Sequence, residues 1–163
     1  MTTVIEICIF LAFLFCWGIF YFMLPEFLGK LLFAIFSIFI AKADIKTGAV
    51  PRLAFVFAFL FFFAFKLFLP GWNPLWESIT GMLLGLLIFS IVFFVSKKKL
   101  GLADVWYSAL IGMLLGPWWW YAAIGIACFT GVIYIIFFKK RRIPFIPFMA
   151  VGSITASIIQ FFL

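Results

Sequence analysis

Long apolar runs cover almost the whole chain, and short groups of Pro, Gly and charged residues interrupt them. A helix needs roughly twenty apolar residues to cross a bilayer, and in lipid its backbone groups must be hydrogen-bonded within the segment. The pattern therefore predicts an all-α polytopic membrane protein. The interruptions divide the chain into seven predicted spans at residues 4–24, 28–41, 53–69, 75–96, 102–116, 118–138 and 147–163.

The composition agrees with this class of protein. The chain is 69% hydrophobic and 10% charged, whereas soluble domains are about a quarter charged. Its 163 residues leave room for the spans and short turns, so we expect one integral membrane domain over residues 1–163. The second and fifth segments are short for full spans. We expect each to extend into its flanking motif, which would draw Asp44 and Asp104 just inside the membrane boundary.

The distribution of charge predicts an orientation. Three loops, at residues 42–52, 97–101 and 139–146, can share one side of the membrane. That side would then hold ten basic residues: Lys42, Lys46, Arg52, Lys97, Lys98, Lys99, Lys139, Lys140, Arg141 and Arg142. The other side would hold Lys30 and Lys66. Because cytoplasmic loops are enriched in Lys and Arg, the pattern predicts a cytoplasmic N-terminus and an outside C-terminus.

The net charge of +7 does not indicate nucleic-acid binding, since the basic residues lie in short loops beside spans. Trp72, Trp76 and the tryptophans at 118–120 fall on the opposite side, where aromatic residues anchor membrane interfaces. The N-terminal residues lack the basic start of a signal peptide, so the first segment is predicted to be a retained span.

The residue types present exclude several kinds of chemistry. The chain has no histidine, and its three cysteines lie in apolar stretches without the close spacing of a zinc site. Small buried packing residues are the favoured interpretation of Cys8, Cys16 and Cys128. No metal and no cofactor are expected.

One of the two aspartates, Asp44, stands where the second segment meets a basic loop. Lys46, a Gly and Pro51 follow it and are expected to stop the helix and turn the chain. The alternative interpretation is that Asp44 pairs with Lys42 or Lys46 in a solvated loop, which would contribute little to stability.

The second aspartate, Asp104, lies in the first turn of the fifth segment. Gly101 and Ala103 are small, so a substrate strand could approach the backbone beside the carboxylate closely. The alternative is that Asp104 is an ordinary acidic residue at a helix start, beside a lysine cluster.

Considered together, the two aspartates predict a paired-carboxylate peptidase. If both carboxylates meet across a helix interface, repulsion lets one ionise while the other keeps its proton. The ionised group can then deprotonate a water, and the protonated group can protonate the scissile carbonyl oxygen. The main alternative is a small proton- or cation-coupled transporter that uses the aspartates as relays. A homologue that binds its partner without catalysis is a further alternative.

A third motif precedes the last segment. Pro144 and Pro147 are expected to prevent a regular helix across residues 144–147. They would form a stiff connection on the side of the aspartates.

These three motifs resemble the type IV prepilin leader peptidases and their archaeal preflagellin relatives. Those enzymes carry an Asp followed by a basic residue and an Ile/Val-Pro step, a G-x-G-D segment, and an I-P-F-G-P-F-x-A-x-G segment. Here residues 44–51 read DIKTGAVP, residues 101–104 read GLAD and residues 143–152 read IPFIPFMAVG. The order and positions agree over about residues 30–163.

The chain departs from the family pattern at four positions. They are Arg52 in place of Asn, Ala103 in place of the second Gly, Trp106 in place of Lys, and Ile146 in place of Gly. The departures concern substrate contacts more than hydrolysis, because both aspartates are present.

The resemblance implies an aspartic endopeptidase with Asp44 and Asp104 as catalytic residues, supported by Gly101, Ala103, Lys46, Pro51, Pro144 and Pro147. It further implies cleavage of the basic leader of pilin-like precursors at the cytoplasmic face of a bacterial or archaeal inner membrane. Membrane lipids would be the other partners of the chain. Without the four-cysteine domain of larger members, N-methylation of the product is not expected.

Overall fold

The computed structural model describes residues 2–48, 50–68, 74–97, 100–138 and 144–163, with side chains from residue 24 onward. Its elements are all helices: α1 (Thr2–Thr47), α2 (Arg52–Phe68), α3 (Leu75–Val95), α4 (Leu102–Phe138) and α5 (Ile146–Phe162). The all-α prediction is therefore confirmed for this part of the chain. The side chains of Cys8 and Cys16, Trp72 and the basic residues at 98–99 and 139–142 lie outside the described residues, and the expectations about them stay predictions.

Helix α4 is folded into a hairpin at Gly116. The backbone there has φ 79° and ψ 174°, a conformation that glycine adopts easily, and the next residue is a proline, which favours a helix start. The Trp120 indole N–H donates to the Ser108 carbonyl oxygen at 3.2 Å. In a straight helix these two residues would be about 18 Å apart. The chain therefore reverses between residues 102–115 and 117–138, which confirms the predicted boundary between the fifth and sixth segments.

The predicted turn between the first and second segments is wrong. Helix α1 runs through Pro25 without a break. A proline removes one backbone hydrogen bond from a helix interior but does not always end the helix. The Glu26–Lys30 ion pair, 2.6 Å long and one helical turn in span, supports the helix just beyond the proline. The predicted cytoplasmic N-terminus depends on a reversal that α1 does not make.

The number of predicted spans is also wrong. By length and composition, three helices among the described residues are apolar enough to cross a membrane: Leu24–Thr47, Leu75–Val95 and Leu102–Phe138, the last of which is folded at Gly116. Helices α2 and α5 contain 17 residues each, which corresponds to about 26 Å. That is shorter than the roughly 30 Å hydrocarbon core of a bilayer.

The closest helix contact joins α3 to the first half of α4 in an antiparallel arrangement. A Cβ atom on Gly112 would lie 2.0 Å from the Gly81 carbonyl oxygen. Glycine at both positions therefore allows the two backbones to touch. One turn further on, the Ser108 hydroxyl donates to the Gly85 carbonyl oxygen at 3.4 Å. This contact fixes the position of the first half of α4, which carries Asp104.

Helix α5 runs parallel to the first half of α4, and α1 runs antiparallel to both. Tyr107 contacts Ser153, and the Gln160 amide donates to the Leu115 carbonyl oxygen at 3.3 Å. Near the other end of the bundle, the Phe27 ring on α1 lies 5.7 Å from the Phe161 ring on α5. The C-terminal end of α1 and the N-terminal ends of α4 and α5 therefore lie at the same end of the bundle.

Candidate active site

Asp44 continues the buried face of α1. Phe33, Ser37 and Ile40 are buried, and Asp44 follows at the next helical step on the same face. Its side chain is half-buried. The helix ends one turn later, where Gly48 adopts φ 62° and donates its N–H to the Asp44 carbonyl oxygen at 2.9 Å, as is common at helix C-termini. The carboxylate thus lies at the end of the bundle and on the side of its core.

The alternative role of Asp44 in a surface ion pair does not agree with the structure. Lys42 and Lys46 are exposed. Among the side chains that the structure describes, Glu26 and Lys30 form an ion pair. Neither Lys42 nor Lys46 lies within salt-bridge distance of Asp44. Lys46, predicted to support the motif, therefore points to the surface.

Asp104 is 6% exposed and belongs to the first turn of α4. Its Oδ2 atom accepts the Gly101 N–H at 3.0 Å, and its own N–H donates to the Gly101 carbonyl oxygen at 3.1 Å. This is the acidic half of a capping box. The alternative role predicted for Asp104, helix capping, is therefore observed. Capping uses one carboxylate oxygen and leaves Oδ1 available for another role.

Gly101 leaves room for the carboxylate beside it. A Cβ atom at this position would lie 3.2 Å from Asp104 Oδ2, which is tighter than most contacts of a real Cβ atom, so the carboxylate would have to shift by a few tenths of an ångström. We expect Gly101→Ala to displace the carboxylate and to lower kcat about tenfold, since small misplacements of reacting groups are costly. The measurement is precursor cleavage in membranes. Gly125→Ala is the matched control, because a Cβ atom there meets nothing within 4 Å, and an equal loss in both variants would contradict this explanation.

The structure places the two aspartates on different helices. Asp44 belongs to the last turn of α1, and Asp104 belongs to the first turn of α4. Helix α1 packs against α5, while α2, α3 and α5 pack against α4. Both aspartates therefore lie at the end of the bundle where α1 ends and where α4 and α5 begin. Two acids that met here and shared one proton could activate a water and protonate a carbonyl oxygen.

The other predicted supporting residues surround this end of the bundle. Ala103 is half-buried beside Asp104, and Pro51 is exposed at the start of α2, where its carbonyl oxygen accepts the Ala54 N–H at 3.0 Å. Pro144 is exposed and Pro147 half-buried. Helix α5 begins between these two prolines, so a continuous helix across residues 144–147 is absent, as predicted.

Two departures from the family pattern have packing roles. Ile146 is 1% exposed and belongs to the hydrophobic core, while the ring of the preceding Phe145 stacks on Phe89 with 6.3 Å between centroids. Trp106 is 39% exposed and meets the Phe59 ring edge-on at 6.3 Å. Both side chains therefore pack against neighbouring helices.

Sequence reasoning missed three polar residues beneath the aspartates. Tyr107, Ser37 and Ser153 are fully buried, and the tyrosine hydroxyl lies 3.4 Å from Ser153 Oγ. Their spacing gives a signal in retrospect. Tyr107 lies one turn after Asp104, and Ser37 lies two turns before Asp44, so each shares a helix face with an aspartate.

Comparison with known proteins agrees with this arrangement of residues. A protein-family model described as the type IV leader peptidase family matches residues 31–136. No curated protein matches the chain, and no solved structure does. The matched region contains Asp44 and Asp104 and ends before the proline motif at residues 144–147.

Proposed function

The chain belongs to the type IV leader peptidase family, and we propose that it is an intramembrane aspartic endopeptidase with Asp44 and Asp104 as its catalytic residues. Family membership indicates a peptidase with prepilin-like substrates. One observation supports the aspartic mechanism: the matched region contains two aspartates, at the end of α1 and at the start of α4, on one end of the bundle.

The proposed reaction is direct attack of water on the scissile peptide bond. The ionised carboxylate takes a proton from the water as its oxygen bonds to the carbonyl carbon. The protonated carboxylate gives its proton to the carbonyl oxygen. When the resulting tetrahedral intermediate collapses, the C–N bond breaks and the leaving nitrogen receives a proton. Neither a covalent intermediate nor a metal is required.

We further propose that the end of the bundle with the aspartates faces the cytoplasm of a bacterial or archaeal cell. The exposed Lys42, Lys46 and Arg52 at this end support that orientation through the positive-inside rule. It places the C-terminus outside, because α5 leads away from the aspartates. The substrate would present its short basic leader at this face, with its apolar helix among the helices of the enzyme. The basic residues would bind anionic lipid rather than a basic leader.

We propose that residues 1–163 act as one membrane peptidase domain that cleaves the leader and does not N-methylate the product. These residues contain three cysteines, fewer than the four-cysteine segment associated with methylating relatives. Nucleic acid has no part in the proposed function.

Inhibitor sensitivity distinguishes this mechanism from other peptidase classes. We expect purified protein to cleave a pilin-like precursor equally well with or without a chelator, a serine-directed sulfonyl fluoride or a thiol alkylating agent. The chain has no histidine, and the described side chains include no group of three potential metal ligands. Cys128 is exposed on the apolar α4, so the prediction that it is a small buried packing residue is wrong.

Two results would contradict the proposal. Loss of cleavage with the chelator would indicate a metallopeptidase. Absence of cleavage for several precursors, together with aspartate-dependent proton or cation flux into vesicles, would instead support a transporter.

A further inference from the structure

Lys66 is a cation on the buried face of the apolar helix α2. It lies in the last turn of the helix and is 8% exposed, and Phe62, one turn earlier, is buried as well. The Lys66 ammonium group donates a hydrogen bond to the Ser78 hydroxyl of α3. Among the side chains that the structure describes, no carboxylate lies within salt-bridge distance of this lysine. A charge buried in an apolar helix of a membrane protein is costly, and such a residue commonly marks a functional site.

Lys66 lies at the end of the bundle opposite to the aspartates. Its partner Ser78 belongs to the first turn of α3, and α3 runs antiparallel to the half of α4 that begins beside Asp104. Along α2, Lys66 is about 21 Å from Arg52, at 1.5 Å per residue. The ammonium group therefore lies toward the headgroup layer of the far leaflet rather than at the membrane midplane.

An apolar cleft opens between α2 and α3 beside this lysine. Its volume is about 220 Å³, and the buried side chains of Met113 and Ser78 belong to its wall. The other lining residues are apolar side chains of α2 and α3: Phe59, Leu60, Phe63, Ile79 and Met82. Ser78 thus belongs both to the cleft and to the hydrogen bond with Lys66, which places the cation at the edge of the cleft.

The volume of the cleft and the charge at its edge select the occupant. One turn of an α-helix, about 10 Å wide and 5.4 Å long, fills roughly 400 Å³, so the cleft is too small for the apolar helix of a precursor. A single acyl chain is narrower. The ammonium group has three N–H donors, and the hydrogen bond to Ser78 uses one of them. A phospholipid supplies both an acyl chain for the cleft and a phosphate for the cation.

We propose that this cleft binds one acyl chain of a membrane phospholipid whose phosphate accepts hydrogen bonds from Lys66. The lipid belongs to the leaflet opposite to the aspartates, so this site is separate from the basic residues at the other end of the bundle. Its chain covers the apolar side chains between α2 and α3. Its phosphate neutralises the buried ammonium charge, as in other basic pockets between membrane helices.

The first test is photolabelling of the purified full-length protein in detergent by a phospholipid that carries a diazirine on one acyl chain. We expect mass spectrometry to find the label on peptides that contain Met82 or Met113. At a lipid concentration below saturation, Lys66→Met should lower this labelling about tenfold, the loss expected from one charge-assisted hydrogen bond. Lys42→Met is the matched control, because Lys42 is exposed at the other end of the bundle and its replacement should leave labelling of the cleft unchanged.

The second test fills the cleft and leaves the lysine in place. Ile79 lines the cleft and is 42% exposed, so Ile79→Trp should occupy the space of the acyl chain and lower the labelling by a similar factor. Leu87→Trp is its control, since Leu87 lies on the same helix, is 61% exposed and is not among the residues that line the cleft. Both substitutions replace exposed apolar side chains and should leave the protein folded.

A diacylglycerol with the same diazirine separates the contribution of the phosphate from that of the chain. Because it has no phosphate, it should label the wild type and Lys66→Met equally, and about tenfold more weakly than the phospholipid labels the wild type. Equal labelling of the wild type by both lipids would overturn the role of Lys66. Labelling spread evenly over the apolar surface would overturn the cleft as a site.

Competition identifies the other possible occupants. If inorganic phosphate displaced the phospholipid, Lys66 would belong to a phosphate site that does not need the cleft. If a pilin-like precursor displaced it, the cleft would belong to the substrate. Either result would overturn the lipid site, whereas retention of the label against both competitors is the result that the proposal predicts.

Discussion

Asp104→Asn should lower the rate of precursor cleavage by about a thousandfold or more, since general acid–base groups contribute factors of this size. The amide cannot gain or lose the shared proton. It can still accept the Gly101 N–H through its oxygen, in place of Asp104 Oδ2, so the start of α4 should fold normally. The measurement is the initial rate of cleavage in membranes at matched expression.

A matched control makes this result specific. Glu77→Gln is the same chemical change in the first turn of α3, at the opposite end of the bundle, and it should leave cleavage unchanged. If both variants lost activity equally, the effect would be attributable to removal of a membrane carboxylate in general. If Asp104→Asn cleaved at the wild-type rate, Asp104 would not be catalytic.

Gly112→Val should lower the free energy of unfolding by about 3 kcal/mol, the upper part of the usual range for overpacked interiors. A Cβ atom at Gly112 would lie 2.0 Å from the carbonyl oxygen and 2.5 Å from the carbonyl carbon of Gly81. These are backbone atoms of α3, which cannot rotate away, so the two helices must separate. Denaturant unfolding in detergent measures the change.

The control for this prediction is Gly125→Val. A Cβ atom at Gly125 meets nothing within 4 Å, so the same substitution should have little effect on the free energy of unfolding. Equal stability of Gly112→Val and Gly125→Val would contradict the close contact between α3 and α4. Because α4 carries Asp104, we also expect Gly112→Val to lose cleavage activity.

The positions of most helices could be predicted from the sequence because apolar runs and their interruptions are local features. The reversal at Gly116 was predictable, since a glycine followed by a proline is a strong break in an apolar segment. Pro25 was not a break. Whether a proline kinks, ends or continues a helix depends on what packs around it, although the i,i+4 spacing of Glu26 and Lys30 was a local signal for a helix here.

The placement of both aspartates at one end of the bundle could be predicted, since Asp44 lies at the end of one helix and Asp104 at the start of another. The cluster of Tyr107, Ser37 and Ser153 could not be predicted in this way. Helical spacing shows that two residues share a face, but the partner of that face comes from tertiary packing. Ile146 illustrates the same point, because its role in the core depends on how the start of α5 meets the rest of the bundle.

The most direct test of the proposed catalytic pair compares the rates at which four proteins cleave a pilin-like precursor at matched expression. They are the wild type, Asp44→Asn, Asp104→Asn and the double variant. Because the carboxylates are proposed to act as a unit, their effects should not add. We expect the wild type to cleave the precursor and each single variant to be as inactive as the double variant. Cleavage by Asp44→Asn or Asp104→Asn at a rate comparable to the wild type would contradict this expectation.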